Sequence, residues 1–243
     1  MTDIDCPIVE LRQYRLHPGR RDDLIELFDT EFVESQETVG MTVLGQFRDL
    51  SDPDRFVWLR GFADMATRAR ALADFYGGPV WAAHRDAANA TMIAFDDVLL
   101  LRPVPPGAGF PAPAPRPEVG FTAVPPTRLL ATVLLLSSLC DEAFLTFFEQ
   151  EVRPVLAETG GTPIVCLRTE PAENTFPALP VRTGENAFVW FAAFADQAGL
   201  DEHRERLASC ARWRDDVRPA LVDRLAVAPH ELLLAPTARS LLR

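Results

Sequence analysis

The sequence contains no lysine: all 24 of its basic residues are arginine, and they stand against 35 acidic residues, for a formal net charge of −11. Nucleic acids and anionic membranes favour clustered positive charge, so this balance argues against both as partners. Histidine and cysteine are also scarce. The four histidines are scattered, and no two of the four cysteines form a CxxC pair, so no metal site is expected and the cysteines are predicted to be free thiols.

Long hydrophobic runs are missing as well. The longest strongly apolar stretch, residues 129–139, is interrupted by hydroxyl side chains, and a membrane helix needs about 20 residues. The first residues carry acids where a secretion signal would need a basic segment. The sequence also lacks GxGxxG, GxxxxGK[ST], GxSxG and HExxH motifs. We therefore expect a cytoplasmic protein with no nucleotide or other cofactor.

Proline, in contrast, is concentrated in one place. Nine of the 24 residues from Pro103 to Pro126 are proline. Proline lacks the amide donor and fixes φ, so this stretch can form neither a helix nor a central strand. It is predicted to be an extended, semi-rigid connector over residues 103–127. The connector separates one unit of residues 1–102 from a second unit of residues 128–243.

The two units repeat each other. Phe56-Val57-Trp58 returns 132 residues later as Phe188-Val189-Trp190, and Trp81 and Trp213 keep that spacing. Earlier landmarks match at smaller offsets: Phe28 with Phe147, at 119, and Gly40 with Gly161, at 121. A single main insertion within residues 171–186, predicted to be a long hairpin loop, reconciles the offsets. Ordered landmarks of this kind indicate a duplication.

Each unit shows the same predicted order of elements, βαββαβ, which is the ferredoxin-like arrangement. In the first unit, strands are predicted over 8–16, 41–48, 55–62 and 91–101. One helix is predicted over 20–39, and two more lie between the third and fourth strands, the first of them capped by Asp64. In the second unit, strands are predicted over 129–136, 162–169, 186–194 and 226–234, with helices over 141–158 and 196–225.

The first unit resembles the NIPSNAP family. The resemblance covers about the first hundred residues and is most specific at Gly78-Pro79-Val80-Trp81 and in the stretch from His84 to Met92. Further matching residues are Val9-Glu10-Leu11-Arg12, Tyr14, Pro18-Gly19, Asp54-Arg55-Phe56-Val57, Arg60-Gly61-Phe62, Met65, Arg68, Asp97 and Val98-Leu99-Leu100-Leu101. The second unit looks like a degenerate copy that lacks the Glu-Leu-Arg-x-Tyr and His-Arg-Asp motifs.

The resemblance implies membership of the dimeric α+β barrel superfamily, in which two such sheets pack face to face, between chains or between fused units. This chain is therefore expected to close a barrel with itself, and a homo-oligomer remains open. The superfamily includes cofactor-free monooxygenases, isomerases, haem enzymes and non-catalytic members, so fold alone cannot choose an activity. If a haem were bound, only His84 or another lone histidine could be its axial ligand.

Strand parity suggests a candidate site. In residues 9–16 one face carries Val9 and Leu11, and the other carries Glu10, Arg12 and Tyr14. We assign the apolar face to the layer under the helices, which places the polar face inside the barrel. A small-molecule pocket with apolar walls and a few polar groups follows, mainly from the first unit. The alternative is a structural ion pair of Glu10 with Arg12 or Arg60.

Three more residues complete the candidate site. Trp58 and its counterpart Trp190 are predicted to stack on a flat ligand inside the barrel, unless they only fill a core. Arg60, beside Trp58, is a candidate for binding a carboxylate or phenolate, or else lies on a surface edge. His84 is the best titratable candidate for a general acid or base, and otherwise braces its helix.

Three functions stay open at this point. The first is an enzyme of metabolism or biosynthesis acting on a small, partly aromatic metabolite by oxygenase, isomerase or cyclase-type chemistry without a cofactor. In it Arg12, Tyr14 and Arg60 orient the ligand and His84 transfers a proton. The second is a module that binds such a ligand, and the third is a structural or interaction partner. A pocket lined by Glu10, Arg12, Tyr14 and Trp58 favours the first two, and a barrel filled by side chains favours the third.

Overall fold

The computed structural model describes residues 3–111 and 114–243. The first unit runs β1 (Ile8–Leu16), α1 (Arg21–Leu27), a π-helical turn (Phe28–Phe32), α2 (Val33–Thr38), β2 (Thr42–Asp49), β3 (Arg55–Phe62), α3 (Met65–Tyr76), α4 (Pro79–Asn89) and β4 (Met92–Pro103). The second runs β5 (Arg128–Leu136), α5 (Glu142–Phe147), a π-helical turn (Phe148–Val152), α6 (Arg153–Glu158), β6 (Pro163–Thr169), β7 (Asn186–Phe194), α7 (Gln197–Ser209), a π-helical turn (Trp213–Val217), α8 (Arg218–Val222) and β8 (His230–Pro236).

The eight strands form one closed antiparallel barrel in the order β1-β3-β2-β8-β5-β7-β6-β4. Each unit contributes four adjacent strands, and the two seams are the short pairings of β2 with β8 and of β4 with β6. The expected closure of a barrel within one chain is thus confirmed. Closing the sheet leaves neither unit with a free edge at these seams. Within the described residues, no helix is long and apolar enough to cross a membrane.

Side chains fill the inside of the barrel. Val9 and Leu11 of β1 pack there in one buried cluster with apolar residues of both units, among them Leu44, Val57, Leu59, Leu99, Leu129, Val133, Val189, Phe191 and Leu232. The assignment of the two faces of β1 was therefore wrong: the apolar face points into the barrel, and Glu10, Arg12 and Tyr14 point at the helices. The physical reason is that a barrel shared by two sheets must bury the apolar faces of both.

The repeat is more regular in the structure than in the sequence landmarks. Both units place a five-residue π-helical turn in the first helix, starting at Phe28 and at Phe148. Both end that helix on a glycine with φ of +96°, Gly40 and Gly160, a backbone conformation that favours glycine. The matches of Phe28 with Phe147 and Gly40 with Gly161 were each wrong by one residue. The offset is 120 up to this point and 132 at Trp58 and Trp190.

Helix starts follow the sequence closely. The carboxylate of Asp64 accepts a hydrogen bond from the Thr67 amide at 2.6 Å, as expected of an N-cap. Asp141 and Asp196 cap α5 and α7 in the same way. In the connector, Phe110 is fully buried and its backbone pairs with that of Ile4. The division at residues 102/103 and 127/128 stays a prediction.

Candidate functional site

Glu10 is the centre of a buried charge cluster between the first sheet and its helices. Its Oε2 accepts hydrogen bonds from Arg12 Nη1 at 2.6 Å and Arg60 Nε at 2.8 Å, and its Oε1 accepts one from Arg68 Nε at 2.7 Å. All four side chains are fully buried. One carboxylate thus faces three guanidinium groups, which leaves a formal surplus of two positive charges. The ion pair considered as the alternative exists, with a third arginine added.

The cluster sets the charge state of its own carboxylate. Burial alone would raise the pKa of Glu10, but the charges of Arg60, Arg12 and Arg68 outweigh it and hold the pKa well below its ordinary value. Burial also lowers the pKa of Arg68, against the pull of Glu10. Glu10 is therefore ionised throughout the neutral range, and the network is a fixed electrostatic feature rather than a proton relay.

Tyr14 connects this cluster to an open cleft. Its hydroxyl oxygen accepts a hydrogen bond from Arg12 Nε at 3.0 Å. Burial raises the pKa of Tyr14, and the opposing charge of Arg12 does not cancel the rise. The phenol consequently keeps its proton near neutral pH. Because the arginine occupies one acceptor position of the oxygen, the hydroxyl hydrogen is free to point to a second partner.

The cleft beside Tyr14, called the N-terminal cleft below, has an inner and an outer part. The inner part, of about 30 Å³, is lined by Tyr14, Leu24, Phe28, Phe32, Gln36, Trp58, Phe75, Tyr76, Trp81, Ala88 and Met92. The outer part, of about 290 Å³, shares Tyr14, Tyr76, Trp81 and Met92 with it and adds Asn89, Phe95, Phe176, Ala178 and Leu179. The outer part is roomy enough for aromatic rings, and the inner part accommodates one or two atoms.

Several buried donors of the charge cluster and of Trp58 have no hydrogen-bond partner among residues 3–111 and 114–243. They are Nε1 of Trp58 and one Nη2 each of Arg12, Arg60 and Arg68. The guanidinium carbons of Arg12 and Arg60 lie 5.4 and 5.0 Å from the centre of the Trp58 ring, so both cations stack against it. Buried donors are normally paired, and an unpaired one needs an explanation.

The second unit covers the cleft. Its insertion between β6 and β7 places Phe176 over Tyr76, with ring centres 5.9 Å apart and nearly parallel. Asn174 Oδ1 and Thr175 Oγ1 accept hydrogen bonds from Arg68 Nη1 at 2.9 and 3.2 Å. The predicted long hairpin loop therefore exists, and it supplies one wall of a site that belongs otherwise to the first unit.

The structure brings together Glu10, Arg12, Tyr14, Trp58 and Arg60, as the sequence suggested, but in the layer between sheet and helices instead of inside the barrel. Trp190 is not with them. It packs in the equivalent layer of the second unit, with its ring centre 5.4 Å from that of Phe148. The expectation that both tryptophans face the barrel interior was wrong, because their chain neighbours point inward instead: Val57 and Leu59 beside Trp58, and Val189 and Phe191 beside Trp190.

His84 lies apart from the cluster. It sits on α4 with a half-buried ring, 3.5 Å from a carboxylate oxygen of Glu31 and against Phe32. Other residues of α4 line the cleft, but His84 does not. Its role as acid or base stays a prediction. No three His, Cys, Asp or Glu side chains converge as metal ligands anywhere in the described ranges.

The sequence analysis named Arg68 among the residues that match the family but did not predict it as a member of the candidate site. A signal was available in the repeat, since the 132-residue offset matches Arg68 to Leu200, a change from charged to apolar at one helix position. In the structure Leu200 packs with Leu130 and Ala192, the counterparts of Glu10 and Arg60 in strand pairing. Three charged residues of the first unit, Glu10, Arg60 and Arg68, thus correspond to apolar residues in the second unit. The joint loss of charge at these positions indicates that the three charged side chains belong to one cluster.

Comparison with known proteins supports this picture of the fold. The NIPSNAP family model matches residues 9–106, which is the first unit together with the start of the connector. The resemblance of this unit to that family is thereby confirmed. A comparison with curated protein sequences found no significant match.

Solved structures match over almost the whole chain. A proposed monooxygenase from Fusobacterium nucleatum is 11% identical, with 96% of this chain and 93% of that chain covered, at a TM-score of 0.55. A proposed monooxygenase from Lactobacillus acidophilus (96% and 94% covered) and an anthrone oxidase-like protein (98% and 94%) are also 11% identical, each at a TM-score of 0.54. At this identity the likeness concerns the fold alone, a closed barrel of eight antiparallel strands with helices outside it.

Proposed function

We propose that this chain, whose first unit carries a NIPSNAP domain, binds a small aromatic molecule with an oxygen substituent in the N-terminal cleft. The observation that carries the proposal is the Tyr14 hydroxyl, a donor on the wall of an aromatic cleft, with the Trp58 ring beside it. The buried Nε1 of Trp58 has no hydrogen-bond partner among the described residues. A ring in the outer part would place its oxygen within the narrow inner part. Mostly apolar walls with a few directed polar groups are typical of small-molecule sites.

The surplus positive charge behind Tyr14 and Trp58 favours oxygens that carry negative charge. Phenolate, enolate and carboxylate groups fit this description. Arg12 and Arg60 do not line the cleft themselves, so we assign them a positioning role: Arg12 orients the Tyr14 hydroxyl, and both hold the Trp58 ring. This refines the expectation that they contact the ligand directly.

Calorimetric titration of two probes tests the proposal. 2-Naphthol and naphthalene share one ring system and differ only in the oxygen. We expect 2-naphthol to bind more tightly, and Tyr14→Phe to weaken 2-naphthol by about 2- to 10-fold, the effect of one hydrogen bond, while naphthalene binding is unchanged. Equal affinity of 2-naphthol for the wild type and Tyr14→Phe would contradict the role of Tyr14.

Catalysis on the bound molecule is the natural extension, and the names of the structurally similar proteins point the same way. The protonated Tyr14, beside Arg12, is suited to give its proton to a ligand oxygen on which negative charge develops. We therefore place cofactor-independent oxygenase, isomerase or cyclase-type chemistry at this cleft, with Tyr14 as proton donor. The role of His84 is tested separately: His84→Asn lowers turnover only if its imidazole transfers a proton.

A purely structural function has one observation in its favour, the side chains that fill the barrel interior. It predicts that neither probe enters the N-terminal cleft. The strand order is β4-β1-β3-β2 in the first unit and β8-β5-β7-β6 in the second, the equivalent order and the one expected of a ferredoxin-like unit. We infer that the chain is two such units fused. The cytoplasmic location and the absence of nucleic-acid partners remain expectations from composition.

A further inference from the structure

The layer between sheet and helices of the second unit contains a cavity of its own, called the C-terminal cavity below. It measures about 450 Å³ and lies between β5, β7 and the helices α7 and α8. Buried residues form its inner wall, among them Thr132, Leu134, Trp190 and Ala192, and exposed residues form its mouth, among them Arg218, Ala228 and Glu231. This volume falls within the range of about 300–1,000 Å³ usual for small-molecule sites.

The cavity exists because the duplication has replaced large side chains by small ones. Arg12 faces Trp58 across its strand pair, and Thr132 faces Trp190 in the same place. In the same register, Leu130 and Ala192 occupy the positions equivalent to Glu10 and Arg60. Leu134 occupies the position equivalent to Tyr14. The first unit fills this space with its arginine network, whereas the second leaves it open. An open, mostly apolar concavity of this size is the usual form of a small-molecule site.

The lining is uncharged in its buried part. Most of it is apolar, and the polar groups on the inner wall are the Thr132 hydroxyl, the His203 imidazole and the indole N–H of Trp190. His203 is 2% exposed, its Nδ1 lies 3.2 Å from the Thr159 carbonyl oxygen, and its ring stacks on Phe194. Burial lowers the pKa of His203, so its imidazole is neutral. Among the described lining residues, the charged ones, Arg218 and Glu231, are exposed at the mouth.

We propose that the C-terminal cavity is a second, separate binding site, and that it takes an uncharged, largely hydrocarbon or aromatic small molecule with at most one or two hydrogen-bonding groups. An ion would lose its hydration there without gaining a partner of opposite charge. The two halves of the chain thus carry sites of contrasting chemistry at equivalent positions. The proposal is independent of what the N-terminal cleft binds.

Two fluorescent probes that differ in charge test this site. N-Phenyl-1-naphthylamine is uncharged, and 1-anilinonaphthalene-8-sulfonate adds a sulfonate to the same ring system. Probe emission is titrated with the wild type and with Ala192→Leu, which fills the inner wall, and Ala228→Trp, which narrows the mouth. Ala211→Trp is the matched control, because Ala211 is an exposed alanine of the same unit that does not line the cavity.

We expect the uncharged probe to bind at the cavity at least tenfold more tightly than the sulfonate. Ala192→Leu and Ala228→Trp should each remove one bound N-phenyl-1-naphthylamine per chain or weaken it at least tenfold, and Ala211→Trp should leave it unchanged. Ala228→Trp keeps the test valid even if Ala192→Leu does not fold, because Ala228 is exposed. Unchanged stoichiometry and affinity in Ala228→Trp, or equal affinity for the sulfonate at the cavity, would overturn the proposal.

Discussion

At the scale of single residues, the contact between the sheet and the helices of the first unit depends on the Glu10 carboxylate. Glu10 accepts hydrogen bonds from three arginines on β1, β3 and α3, so it ties two strands and a helix together in a layer without water-exposed charge. Removing one partner of a buried ion network leaves the others uncompensated, which destabilises more than the network itself stabilises. Glu10 is thus a positioning residue for Tyr14, acting through Arg12.

Glu10→Gln is expected to lower the free energy of unfolding at pH 7 by about 3–5 kcal/mol, because three buried guanidinium groups then lack a counter-charge. Urea denaturation measures the change. The matched control is Glu142→Gln, at an exposed position in α5, which should change stability by less than about 0.5 kcal/mol. A loss of less than about 0.5 kcal/mol in Glu10→Gln would contradict this prediction, because it would show that the three guanidinium groups do not require the charge of Glu10.

Because of Glu10, the free energy of unfolding should depend on pH. The pKa of Glu10 in the fold lies below its unfolded value, which is near 4.5, so the unfolded chain binds more protons between the two. The stabilisation by Glu10 is complete above the unfolded pKa and is lost as pH falls towards the folded pKa. We measure the free energy of unfolding by urea denaturation at several pH values from 7 to 3. Below about pH 4.5 it should fall less steeply with pH in Glu10→Gln than in the wild type, by up to about 1.4 kcal/mol per pH unit. Parallel curves would contradict this.

At the scale of elements, the β6–β7 insertion of the second unit packs over the N-terminal cleft of the first. The offset between matched residues rises from 120 before β6 to 132 after it, because the β6–β7 connection is longer by 12 residues in the second unit. This insertion lies over the cleft of the first unit, and its Leu179 belongs to the apolar cluster beneath the helices there. Connecting segments carried by a rigid scaffold often supply binding residues. The insertion therefore belongs to the site of the other unit rather than to its own.

Phe176→Ala is expected to weaken 2-naphthol binding by about 2- to 10-fold, since it removes the ring stacked on Tyr76 at the cleft. The matched control is Phe121→Ala, because Phe121 is a 46% exposed aromatic of the connector that does not line the cleft. Calorimetric titration of each variant with 2-naphthol measures the two affinities. Equal affinities in the two variants would remove the insertion from the site.

The sequence predicts the elements well and their faces badly. Capping residues, hydrophobic periodicity and the repeat locate nearly every strand and helix, because these signals are local. Parity separates Glu10, Arg12 and Tyr14 from Val9 and Leu11, but it cannot say which side of the sheet is the barrel interior. That choice depends on the second sheet, whose apolar face needs a partner, and this is a property of the assembled chain. The link of Arg68 to Glu10, 58 residues away, is likewise tertiary.

At the scale of the whole molecule, duplication has produced one shared interior and two separate layers. The interior is built from both units, so neither can bury its inner sheet face alone. The two outer layers are free to differ, and they do: the first holds a charge cluster and an aromatic cleft, and the second holds an apolar cavity. Shared packing and divergent layers together give one chain two cavities with contrasting linings.

A fragment of residues 1–103 is expected to associate as a dimer, because its inner face, with Val9, Leu11, Val57 and Leu59, would otherwise be exposed. Size-exclusion chromatography with light scattering measures the mass. A folded monomer of this fragment would show that the barrel interior is not what holds the two units together.

The central claim, a small-molecule site at the N-terminal cleft, is tested most directly by fluorine NMR. The chain has only two tyrosines, Tyr14 and Tyr76, and both line the cleft. Protein labelled with 3-fluorotyrosine therefore gives two signals, both from the site, and each is assigned by its loss in the corresponding Tyr→Phe variant. The labelled protein is titrated with 2-naphthol and with a small-molecule extract of the host cells. The account predicts that both signals shift with each addition, and two signals that stay unmoved throughout would contradict it.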